Sequence, residues 1–71
     1  MTFEILEELT KGYSGEDFPI AGDNFYGEKL LIFKGESYGR RFFRVETFQH
    51  NDWCRIKVYW DDGTVEEMYE K

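Results

Sequence analysis

One stretch constrains the fold of this chain more than any other. Cys54-Arg55-Ile56-Lys57-Val58-Tyr59-Trp60 alternates strictly, and Asp61-Asp62-Gly63 followed by Thr64-Val65-Glu66-Glu67-Met68-Tyr69 comes directly after it. Alternation with period two, in β-branched and aromatic residues, is the pattern of a strand with one buried face. Cys54, Ile56, Val58 and Trp60 then form the apolar side, and Arg55, Lys57 and Tyr59 the other. Asp-Gly between two such runs signals a hairpin, because glycine takes positive φ at little cost.

The loop length sets the register. A two-residue loop at Asp62-Gly63 places Trp60 opposite Val65. A three-residue loop from Asp61 to Gly63 places Lys57 opposite Glu67, Ile56 opposite Met68 and Tyr59 opposite Val65. The longer loop pairs opposite charges across the strands and brings Met68 to the apolar side. It is the register expected here.

Upstream, Arg41 to Gln49 reads as a second strand, with Phe43, Val45 and Thr47 on one face and Phe42, Arg44, Glu46 and Phe48 on the other. A polar turn over 49–52 makes it antiparallel to the strand that follows. Lys29 to Lys34 reads as an earlier strand, with a turn over Gly35 to Gly39. At the N-terminal end Thr2 is placed as an N-cap, followed by Phe3, Leu6 and Leu9 at helical spacing. Glu7 and Lys11 form an i,i+4 pair, and Gly12 is placed to stop the helix. An edge strand built on the Phe3/Ile5 alternation is the competing reading. Residues 12–27 look irregular, yet Tyr13, Phe18, Ile20, Phe25 and Tyr26 are too apolar for a linker, so some of these rings are expected to bury. The fold class expected is α+β: one domain over residues 1–71, a short helix on a four-stranded antiparallel meander. A small SH3-like or OB-like barrel is the alternative.

So short a chain has little core, and its fourteen aromatic residues partly compensate. The single cysteine, Cys54, rules out an intrachain disulfide and a multi-cysteine zinc site. It suits a reducing compartment, and with no signal-peptide pattern at the start of the sequence the expectation is cytoplasmic. No apolar run approaches the roughly 20 residues needed to span a bilayer.

The net charge is −6, arranged in blocks: −6 over residues 1–28, +4 over 29–57 and −4 over 58–71. Such a balance disfavours binding to duplex nucleic acid. Cross-strand pairing of the basic and acidic strands is the main explanation expected for the pattern; separated lobes, with an acidic patch facing a basic partner, are the functional reading.

Nothing in the sequence carries catalysis. His50 has no positioned nucleophile, His50, Asp52 and Cys54 match no metal-ligand spacing, and Asp61-Asp62 before glycine is a turn former. The glycines match no phosphate-cradling or dinucleotide motif. Neither a cofactor nor a metal is expected. The reading is a non-catalytic acidic protein-binding module. One version is an inhibitor that offers Glu4, Glu7, Glu8, Glu66, Glu67 and Glu70 to a basic protein in place of phosphates. Compact acidic chains of this composition are frequent among products of phages and mobile elements, an analogy of composition alone. The alternative is a single-strand nucleic-acid binder using Phe42, Arg44, Phe48, Arg55 and Tyr59, with Lys57, if those residues share a face. A homodimer would explain rings on both faces of one strand.

Overall fold

The computed structural model describes residues 1–49 and 52–71. A helix α1 (Phe3–Leu9) and a 3₁₀ turn (Gly15–Asp17) precede five strands: β1 (Ile20–Asp23), β2 (Lys29–Ser37), β3 (Arg40–Phe48), β4 (Cys54–Trp60) and β5 (Val65–Glu70). Every neighbouring pair is antiparallel and the order is β1-β2-β3-β4-β5, an open meander with β1 and β5 at its edges. The class is α+β, with five strands where the sequence pattern suggested four.

The added strand is β1. Ile20, Ala21, Gly22 and Asp23 have neither the length nor the alternation of a strand. Their extended geometry comes from pairing with Ile32, Leu31, Leu30 and Lys29 of β2. The β2–β3 turn is also tighter than expected. Gly35 lies inside β2 opposite Phe42, and Tyr38 and Gly39 alone make the turn, at φ 53° and 77°. Positive φ at both central residues is the type I′ pattern, which follows the twist of the flanking strands.

The β4–β5 hairpin takes the three-residue loop: Ile56 faces Met68, Lys57 faces Glu67 and Tyr59 faces Val65. Gly63 sits at φ 91°, and its N–H donates to the Trp60 carbonyl at 3.0 Å.

Thr2 caps α1, its hydroxyl accepting from the Ile5 N–H at 3.2 Å. Past the helix end, Thr10 turns its hydroxyl back onto the Leu6 carbonyl at 2.8 Å. Gly12 lies two residues beyond that cap, at φ 95°. Seven residues cannot hold a helix in water unaided, so α1 depends on docking. It buries Phe3 and Leu6 on a sheet face formed by Leu30, Ile32, Phe43, Val45 and Tyr59, with Phe18 and Ile20 packed at the margin. Glu7 reaches the sheet: its carboxylate accepts from Arg41 of β3 at 3.1 Å, while Lys11, the partner expected from the sequence, lies beyond the end of α1.

One face assignment is overturned. The nucleic-acid reading needs Arg55, Lys57 and Tyr59 beside Phe42, Arg44 and Phe48, which would put the apolar side of β4 beside Phe43 and Val45. In the β3–β4 register, Phe42 faces Trp60, Arg44 faces Val58, Glu46 faces Ile56 and Phe48 faces Cys54. Directly opposed residues share a face, so Ile56, Val58 and Trp60 lie on the side away from the helix. A shift of one residue across the 49–53 connection exchanges the faces of a whole strand.

Candidate functional site

The sheet face away from α1 forms a shallow cavity of about 610 Å³. Its lining comes entirely from strand residues of β2 to β5. Ile56 and Val58 make the floor, only 5% and 8% exposed although neither belongs to the cluster that packs against the helix. Phe42, Trp60 and Met68 surround them. The Phe42 and Trp60 rings stand 5.0 Å apart, tilted, and the Arg40 guanidinium lies 4.3 Å over the Trp60 ring. Asp62 holds Arg40 there through a 2.8 Å ion pair. The Asp62 carboxyl titrates below its ordinary range, chiefly because it accepts the Thr64 backbone N–H, with Arg40 adding to the effect.

Four glutamates line the same cavity: Glu36, Glu46, Glu66 and Glu70. Against them, among the described residues, stands one lining cation, Arg44, whose Nη2 is 2.6 Å from Glu46 and whose guanidinium lies 4.5 Å over the Phe33 ring. The cavity therefore carries an apolar floor and an acidic excess. Two lining donors, Arg44 Nε and Trp60 Nε1, are buried and have no hydrogen-bond partner among the described residues. Buried donors left unpaired cost about 1–3 kcal/mol each, so native structures keep few of them.

The residues singled out from the sequence divide between the two faces. Phe42, Arg44 and Glu66 line this cavity. Phe48 shares its face by alternation but sits at the far end of β3, half exposed, outside the lining. Arg55, Lys57 and Tyr59 oppose Thr47, Val45 and Phe43 and so belong to the helix side. Glu67 goes with them through Lys57, at a long 3.9 Å. The nucleic-acid set of Phe42, Arg44, Phe48, Arg55 and Tyr59 is thus not one surface, and Glu66 and Glu67 are not a carboxylate pair. Of the lining, Ile56, Val58 and Trp60 had been read as core; they would have been found only from the correct β3–β4 register.

Cys54 stands at the edge of this face, half-buried, and burial, then Glu46 and Glu70, push its thiol up from the ordinary value. Such a thiol is a poor nucleophile at neutral pH. His50, weighed and rejected as a catalytic base and as a metal ligand with Asp52 and Cys54, lies outside the described residues; within them no group of three or more His, Cys, Asp or Glu could hold a metal. No helix of the described residues is long and apolar enough to cross a membrane. Comparison with protein families, with curated proteins and with solved structures returns no match.

Proposed function

We propose that this chain is a non-catalytic binding module whose uncovered sheet face receives a basic, partly apolar segment of a partner protein. The observation that carries the reading is the cavity itself: an apolar floor of Ile56 and Val58, ringed by Phe42, Trp60 and Met68, with Glu36, Glu46, Glu66 and Glu70 around it. Aromatic anchors in a desolvated centre with charge at the rim make the usual anatomy of a binding hot spot. The sign of the rim selects the occupant. A second copy would bring glutamates against glutamates, and a phosphate backbone would meet the same repulsion. A segment carrying Lys or Arg meets attraction, and its backbone carbonyls supply acceptors for Arg44 Nε and Trp60 Nε1. In this reading Glu66 and Glu70 act together, and Glu67 does not join them.

The test uses Trp60 fluorescence in a Trp53→Phe background. An amphipathic peptide with leucines on one side and lysines beside them should change the emission and bind more weakly as salt rises. The same peptide with glutamates for lysines should not bind. Glu66→Lys with Glu70→Lys, at two exposed positions of β5, should weaken the lysine peptide at least tenfold. Equal binding of both peptides, or an unaffected double variant, would overturn the proposal.

A further inference from the structure

On the helix side of the sheet a second cavity, of about 360 Å³, has the opposite character. Among the described residues its lining includes Arg55, Lys57, Tyr59, Thr47, Phe25 and Tyr26, and no carboxylate. Arg55, Lys57 and Tyr59 are every second residue of β4, spaced about 6–7 Å along one face. Arg55 Nε is buried and lacks a hydrogen-bond partner among the described residues. Lys57 is only loosely engaged by Glu67, at 3.9 Å with both side chains partly exposed, an arrangement worth little.

The lip of this cavity is made by Phe25 and Tyr26, at the tip of the β1–β2 turn. The turn is firmly closed. Asn24 Oδ1 accepts from the N–H groups of Tyr26 and Glu28, both at 2.9 Å, and Asn24 Nδ2 donates to the Glu28 carboxylate at 2.7 Å. Two adjacent rings are nevertheless left 99% and 86% exposed, 6.2 Å apart and edge to face. Burying rings of this size would contribute about 1.5–3 kcal/mol each, and the fold leaves that contribution unused. A closed turn that leaves two rings exposed at the margin of a cavity also lined by Arg55 and Lys57 is suited to a planar ring that bears an anionic group.

We infer that this cavity binds a single nucleotide unit, its base against Phe25 or Tyr26 and its phosphate between Arg55 and Lys57. The site is independent of the acidic face, since the two lie on opposite sides of the sheet. The net charge of −6 does not forbid it. At physiological salt, charges beyond about 8 Å are screened; of the nearer carboxylates, Glu67 meets Lys57 only at 3.9 Å and Glu28 is tied to Asn24 at 2.7 Å. The unit is met either as a free nucleoside monophosphate or within a strand.

Titration with AMP, followed by backbone amide NMR at low salt, tests the inference. Shifts should gather at Phe25, Tyr26, Thr47 and Lys57. Phe25→Ser with Tyr26→Ser, at two positions the fold does not bury, should weaken AMP at least tenfold, and Lys57→Glu should do the same. Inorganic phosphate should bind at least tenfold more weakly than AMP. A short oligonucleotide that binds tighter than AMP at the same residues would identify the strand as the source; one that binds no tighter would identify the free nucleotide. Phosphate as effective as AMP, a double serine variant that binds normally, or no local shifts with either AMP or oligonucleotide would overturn the inference.

Discussion

The ring of Phe42 lies over the backbone of Gly35, its partner across β2 and β3. A Cβ at position 35 would overlap the ring tip and stand 2.9 Å from Cε1 and Cε2. The glycine is therefore what lets Phe42 lie flat and reach Trp60 on the next strand. Cross-strand cover of a strand glycine by an aromatic is a known way to recover packing lost with the side chain.

Gly35→Ala sets two effects against each other. Alanine in a strand gains about 0.5–1 kcal/mol over glycine through the unfolded chain. Displacing a packed ring costs about 1–3 kcal/mol. We expect a net loss of up to about 2 kcal/mol in urea unfolding. In a Phe42→Ala background the clash is gone, and the same substitution should be neutral or stabilising. A loss of equal size in both backgrounds would show that the ring does not require the glycine.

The hairpin loop offers a cleaner case. Gly63 holds φ 91°, which side-chain-bearing residues rarely adopt, and nothing lies within 4 Å of an added Cβ. The cost of Gly63→Ala is thus conformational and should be about 1–2 kcal/mol. It should appear first as faster amide exchange in β5, whose register this loop sets. Exchange that rises evenly over the whole sheet would instead mean global unfolding.

This hairpin is also where the sequence was most legible. Asp-Asp-Gly, the Lys57–Glu67 charge match and the Ile56–Met68 pair all point to one register, because the information is local. The β3–β4 register is not local in that sense. Phe42 and Phe43 are adjacent rings, and Cys54-Ile56-Val58-Trp60 is apolar enough to face either layer. Only docking of Phe3 and Leu6 onto Phe43, Val45 and Tyr59 decides, and it leaves Ile56 and Val58 on the far side. The same reasoning explains the rings of the irregular stretch. Phe18 and Ile20 pack against the core as expected, whereas Tyr13, Phe25 and Tyr26 remain exposed. Hydrophobicity alone does not say which rings a small core has room for.

Alkaline pH should loosen the fold through two groups. Burial pushes Cys54 up from 9.0 and Tyr59 up from 10.0, with Glu46 and Glu70 adding to the first and Arg55 partly offsetting the second. Each ionises earlier in the unfolded chain than in the folded one. Their contribution is whole below the unfolded values and is lost as pH rises through the folded ones. Stability should therefore begin to fall above about pH 9, and more steeply above pH 10. Tyr59→Phe should reduce the steeper part, measured as urea midpoints between pH 8 and pH 11. An unchanged slope would mean that the phenol is not buried against ionisation.

Leu6 is the side chain most completely removed from water, at 0% exposure, and it lies on a helix that does not stand alone. Leu6→Ala deletes the centre of the contact between α1 and the sheet, and such core truncations cost about 2–5 kcal/mol. A 71-residue domain holds about 4–10 kcal/mol in total, so the variant should be near or past its unfolding limit at room temperature. Leu9→Ala, at a position 61% exposed on the same helix, should change stability by less than about 0.5 kcal/mol. The contrast separates docking from helix propensity, since both substitutions replace leucine by alanine in one helix. Equal losses at the two positions, read from thermal unfolding by far-ultraviolet circular dichroism, would mean that α1 is held by its own turn structure rather than by the sheet beneath it.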